Sequence, residues 1–251
     1  METALMVDVH CHLTAREFEG KLDLLIRESI DSGVGVMITS GLGYEDSLKV
    51  LEISDYRRIY PSLGVPPHDL AGYERVLELI EKEKARIIGI GEVGLDYWRG
   101  SRSSRNVQER VFEEFIELAK SLDLPVIVHS RSAGKYALEI LFREKAERVI
   151  MHAFDGKASH AMRAAGRGYM FSIPPSIVRS VQKQKLVDKL PLDNLLLESD
   201  APVLAPDRNR VNRPKNVKIS AEWISRIKGI SFSRVVDKTT SNAVEVFGVR
   251  V

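Results

Sequence analysis

A (β/α)8 barrel of the TIM type is the fold this sequence predicts. Three observations lead there: eight short apolar, β-branched runs, helix-periodic segments between them, and a length of 251 residues, which gives each repeat about thirty. The runs fall at 4–9, 35–39, 59–65, 87–91, 126–129, 149–152, 169–173 and 195–198. Several are near-continuous apolar stretches, such as Val126-Ile127-Val128, as strands buried on both faces of a parallel sheet must be. The intervening segments change period. Leu22, Leu25, Ile26 and Ser29 repeat at helical spacing, as do Val76, Leu77 and Ile80, and again Phe112, Phe115, Ile116 and Ala119. An open doubly wound sheet is the alternative, and eight units in this length favour the closed barrel. No repeat, low-complexity run or Pro/Gly-rich linker divides the chain, so residues 1–251 read as a single domain.

Hydrophobic residues make up 44% and charged residues 29% of the chain, a globular balance that excludes disorder or a fibre. Thirty-seven Lys and Arg against 35 Asp and Glu leave a net charge of +2. Net charge therefore gives no general attraction to nucleic acid or membranes, and a polyanion site has to come from local clustering. Cys11 is the only cysteine, no apolar run reaches 18 residues, and the opening Met-Glu-Thr-Ala lacks the basic start of a signal peptide. The expectation is a cytoplasmic protein with no membrane association and no obligatory protein partner.

The residues capable of chemistry gather at strand ends. His10 and His12 close the first strand; alternate residues share a face, so both imidazoles point one way and Cys11 the other. Glu92 ends the fourth strand, His129 the fifth and His152 the sixth, and Asp200 comes after the eighth. Singly, each reads as a loop residue or a cap. Together, four of the six histidines and two carboxylates stand at the C-terminal ends of five strands, where barrels of this kind build their sites. Six N and O ligands suffice for two divalent cations, and imidazole with carboxylate suits Zn, Mn, Co or Ni, with Mg possible. His68 follows the third strand and is a candidate substrate contact or proton donor, whereas His160 lies on a helix and reads as a surface residue.

Two long connections, 97–105 and 202–218, also follow strands. The first carries Tyr97, Trp98, Arg99, Arg102 and Arg105; the second carries Arg208, Arg210, Arg213, Lys215 and Lys218 against Asp207. Cations interleaved with aromatics suit a phosphate backbone and its bases, although most charge runs are only solvated surface.

Five motifs in order, Asp8-Val9-His10-Cys11-His12-Leu13, Gly91-Glu92-Val93-Gly94-Leu95-Asp96-Tyr97, residues 125–131, His152-Ala153-Phe154-Asp155-Gly156 and Glu198-Ser199-Asp200-Ala201-Pro202, resemble the TatD family of metal-dependent hydrolases. The closing Asn242 and Val246-Phe247-Gly248 are similar to that family's last helix. The resemblance implies a distorted barrel and a one- or two-metal hydrolase, often a deoxyribonuclease that removes nucleotides from 3′ ends or single strands. It implies that His10, His12, Glu92 and Asp200 hold one ion, that Glu92, His129 and His152 hold the other, and that Arg131 clamps a phosphate. Asp200 then serves as ligand and general base, with Glu92 as the bridge. One departure stands out: the family commonly places a histidine where this chain has Pro66, and His68 replaces it only in part. Two rival readings are a relative that hydrolyses carboxylic esters or C–N bonds, and a non-catalytic, metal-stabilised nucleic-acid-binding or scaffold protein. Many C–N hydrolases bridge their metals with a modified lysine after strand four, a place held here by Glu92.

Overall fold

The computed structural model describes residues 5–98 and 104–251. Eight strands pair in chain order in one sheet: β1 (Met6–Cys11), β2 (Val34–Leu42), β3 (Ile59–Gly64), β4 (Gly89–Asp96), β5 (Val126–Arg131), β6 (Val149–Met151), β7 (Met170–Ile173) and β8 (Leu195–Leu197). A helix follows each: α1 (Leu22–Asp31), α2 (Tyr44–Ile53), α3 (Tyr73–Glu83), α4 (Arg105–Leu122), α5 (Gly134–Arg143), α6 (Ala158–Ala165), α7 (Val181–Lys189) and α8 (Val217–Lys228), with α9 (Phe232–Phe247) closing the chain. Parallel strands in sequential order with alternating helices make this the (β/α)8 barrel.

By contact the chain divides into two compact units. The first comprises residues 1–39, 55–60 and 172–251. Within it the end of β8 runs beside the end of β1: the Asp200 N–H donates to the His10 carbonyl at 2.9 Å, and the His12 N–H to that of Ala201 at 2.8 Å. Helix α9 is tied beneath this seam, where the Asn242 amide donates to the carbonyls of Leu192 (3.1 Å) and Leu195 (2.9 Å). The Ser231 hydroxyl caps the start of α9, and Gly248 ends it at φ 68°, a left-handed turn that costs glycine little.

The second unit comprises residues 40–54 and 61–171. Phe112, Phe115 and Ile116 of α4 are fully buried, at about 1.5–3 kcal/mol for each such side chain. Phe154 packs edge-to-face on Phe171. Strand β4 runs to Asp96, five residues beyond the 87–91 run in the sequence, so Glu92 lies inside the strand and not at its end. Gly94 explains the extension: at φ 139° it lets β4 approach β5 so closely that a Cβ there would meet the His129 carbonyl oxygen. Strand β5 likewise passes His129 to end at Arg131, whereas β6 stops at Met151, one residue before His152.

The connection after β8 is shorter than its charge pattern suggests, since Lys218 belongs to α8. Arg105 similarly starts α4, with Ser104 capping it, and Arg99 and Arg102 lie outside the described residues. His160 sits on α6. Among the described residues, no helix is long and apolar enough to cross a membrane.

Candidate metal centre

In the first unit β1 stops at Cys11, one residue before His12, yet His10 and His12 still turn to the same side, toward Asp200. Cys11 turns away, its thiol donating to the Ile38 carbonyl at 3.4 Å, and burial pushes that thiol well up. The His10 and His12 rings meet edge-on at 4.8 Å. Nε2 of each faces Asp200 Oδ1, at 3.6 Å from His10 and 3.5 Å from His12. All three residues are buried. Asp200 occupies the left-handed region at φ 53°, a conformation aspartate tolerates better than most residues, and this turn delivers its carboxylate to the histidines.

Asp8 holds that turn in place. Its carboxylate, fully buried, accepts the Ser199 N–H at 2.8 Å and the Ser199 hydroxyl at 2.6 Å, one residue before Asp200. Burial pushes the Asp8 carboxyl up to about 8, against the Ser199 and His10 hydrogen bonds that pull it down. On the other side of Ser199, the Asn212 amide donates to its carbonyl oxygen. Asp8→Ala is expected to leave the Ser199 N–H and hydroxyl unpaired, at about 1–3 kcal/mol for each buried group, and to depress kcat by displacing Asp200. Urea denaturation and steady-state rates check both effects, and unchanged values would remove Asp8 from this role.

In the second unit, Glu92, His129 and His152 each offer one ligand atom, and these atoms lie within 4.8 Å of one another. The His129 and His152 ring centroids are 5.9 Å apart. His129 Nδ1 is 2.9 Å from Glu92 Oε1, and Nε2 is 3.4 Å from Asp96 Oδ2. Burial pushes the His129 imidazolium down, but Glu92 and Asp96 outweigh it and raise it to about 10. Both ring nitrogens are buried, and neither forms a hydrogen bond. Imidazole nitrogens held against carboxylate oxygens form a donor set for a cation, and each cluster fits one divalent ion by ligand chemistry.

Asp8 and Asp96 are the residues that motif reading passes over. For Asp96 a signal exists in the sequence, because Glu92, Gly94 and Asp96 share one face of β4 at period two. Its backbone is bracketed by Gln108, whose Oε1 accepts the Asp96 N–H at 2.8 Å and whose amide donates to the Asp96 carbonyl at 3.2 Å. Burial raises the Asp96 carboxyl, yet His129, the Trp98 N–H and Arg131 together hold it below its usual range.

The expected substrate contacts fare differently from one another. Arg131 is exposed at the end of β5, and His68 is exposed in the turn after β3. Tyr97 is half-buried with its hydroxyl donated to Glu109 at 2.6 Å, so its polar end is already engaged. Arg208 and Arg210 are exposed, the latter 3.5 Å from Asp207 in an ion pair that solvent weakens. Arg213 is occupied instead: it donates to both oxygens of Glu28 at 2.7 and 2.8 Å, and Lys215 pairs with the same carboxylate. This pairing ties the connection to α1.

A model of the family described as TatD related DNase matches residues 7–248. The deoxyribonuclease TATDN3 of Homo sapiens is 41% identical over 258 residues, covering 96% of this chain and 94% of that protein. YabD of Bacillus subtilis, called an uncharacterized metal-dependent hydrolase, is 32% identical over 98% of this chain and 100% of its own. The crystal structure of YjjV, a TatD homolog from Escherichia coli, matches with a TM-score of 0.90 at 26% identity, covering 99% of this chain and 100% of that one. Whole-length agreement in sequence and in fold leads to one conclusion: the chain belongs to the TatD-related DNase family.

Proposed function

We propose that this protein is a divalent-metal-dependent phosphodiesterase that degrades DNA, acting on single strands and from 3′ ends, in the cytoplasm. The observation that carries the reading is the pair of clusters, His10 and His12 with Asp200, and the partly exposed His129 and buried His152 with Glu92. The human relative, a deoxyribonuclease by name, supports DNA as substrate. A family match running over 7–248 supports one catalytic domain over the whole chain. The lone, buried Cys11 is in keeping with a reducing compartment.

A bound divalent ion, of the Mg, Mn, Zn, Co or Ni group, supplies acidification of water and neutralisation of charge on the phosphoryl oxygens. The chain's own residues do the rest. His10, His12 and Asp200 would hold one ion and His129 and His152 the other, with Glu92 shared between them as the family resemblance implies. Asp200 takes the proton of the attacking water, a role its buried carboxylate suits. Arg131 clamps a non-bridging oxygen through its planar fork of donors. His68 would serve as the proton donor to the leaving oxygen. Arg208 and Arg210 meet flanking phosphates, and Arg213 acts through Glu28 to hold their connection in shape.

A substrate panel tests the proposal: single-stranded DNA, duplex DNA, a small chromogenic phosphodiester and an amide, each with a series of divalent metals. Single-stranded DNA is expected to be degraded and the amide left intact. Replacing Arg208 and Arg210 with Ala should raise KM for DNA and flatten its salt dependence by roughly 0.7 for each phosphate no longer neutralised, while the small diester changes little. Turnover of the amide with none of DNA would overturn the proposal.

A further inference from the structure

Trp98 is 61% exposed, the most exposed large aromatic side chain among the described residues. An exposed aromatic alone is ordinary surface; what sets this one apart is its fixed position beside a candidate metal ligand and a guanidinium. Its backbone is not loose. The Trp98 N–H donates to Asp96 Oδ1 at 2.9 Å, the Tyr97 N–H donates to the Arg131 carbonyl at 3.0 Å, and Gln108 grips Asp96 from both sides. The other carboxylate oxygen of Asp96 faces His129 at 3.4 Å. One aspartate therefore holds the Trp98 backbone and faces a candidate metal ligand. The Arg131 guanidinium lies over one face of the indole ring, 5.1 Å from its centroid. The ring of the preceding residue, Tyr97, contacts Arg105 at 4.3 Å and Tyr136 at 5.5 Å.

We propose that the indole face of Trp98 away from Arg131 is a stacking platform for one nucleobase of the DNA strand, next to the phosphate that Arg131 holds. The inference rests on the reading that a polynucleotide is the substrate, and deepens it by naming the group that recognises a base. Every base has a π-face, so a platform of this kind gives affinity without sequence preference. The cation beneath the indole draws its electrons and strengthens a stack above it, while Arg131 remains within reach of a phosphate through its fork of donors. Because the pinning contacts of residue 98 are made by its backbone, replacing the side chain leaves the segment in place.

Two measurements test the platform. In the first, single abasic positions are scanned along a short single-stranded oligonucleotide. Wild type is expected to show one position whose missing base raises KM about 5- to 100-fold, the range for loss of one base–aromatic stack. In Trp98→Ala, KM for the intact strand should rise by a similar factor, and the abasic position should add nothing further. Trp98→Phe should recover most of the loss, and kcat on a small phosphodiester should stay near wild type. In the second, titration of oligothymidylate into Asp200→Asn is expected to quench fluorescence, and the quench should vanish in Asp200→Asn/Trp98→Phe, where Trp223 is the remaining tryptophan. Fully additive effects of Trp98→Ala and the abasic position, or an unchanged KM on DNA that is still cleaved, would overturn the platform and leave the nuclease reading standing. Failure of wild type to cleave or bind any DNA would overturn both.

Discussion

Replacing Asp200 by Asn is expected to lower kcat on single-stranded DNA by about 10²- to 10⁴-fold, with KM changed by less than about threefold. The asparagine keeps the size of the side chain and one oxygen to face His10 and His12, and it tolerates the left-handed backbone at φ 53°. Neither the turn nor the backbone bond from residue 200 to the His10 carbonyl need change. What disappears is an anionic oxygen able to accept a proton. A group used in the transition state and little in ground-state binding shows its loss in kcat. Steady-state kinetics on one DNA substrate, with bound metal measured on the same preparations, separate this from simple loss of an ion. Near-normal kcat in Asp200→Asn would take Asp200 out of the proton transfer.

Glu92→Ala and His129→Ala are expected to differ in the metal they retain. Glu92 is proposed as the shared ligand, so its removal should empty both positions, whereas loss of His129 should empty chiefly one. Elemental analysis after equilibration with a single divalent metal reads the difference directly, with circular dichroism confirming the fold. Both side chains are hemmed in by neighbours: His129 sits 2.9 Å from Glu92 and 3.4 Å from Asp96. Removing the imidazole relieves no clash and leaves two carboxylates facing each other, so activity should fall in both variants. Equal metal loss in the two would contradict the bridging assignment.

Much of this molecule is legible in its sequence because parallel strands are written as apolar runs and their ends as polar punctuation. All eight runs correspond to strands, and the turning away of Cys11 from His10 and His12 is what period two predicts. Where the sequence is silent, the cause is local or long-range. The extension of β4 through Glu92 to Asp96 is hidden by Gly91 and Gly94, which weaken a strand pattern in sequence yet permit the close approach to β5. Arg213 looks like its exposed neighbours because its partner Glu28 lies 185 positions away. Asp8 looks like part of a motif, and its hold on Ser199 spans 191 positions. Tyr97 and Trp98 are adjacent and both aromatic, but one is tied to Glu109 and the other left open, a distinction that pairing with α4 makes and composition does not.

Whether the His–carboxylate clusters make this chain a metal-dependent nuclease is decided by removing and restoring metal while following hydrolysis of single-stranded DNA. Chelation should abolish hydrolysis while leaving most of the fold, since a barrel of this size carries its own core. Adding back a divalent metal should restore the rate in step with ions bound, up to two per chain. Full activity in metal-free protein, or metal-replete protein that binds its ions and cleaves no phosphodiester, would contradict it.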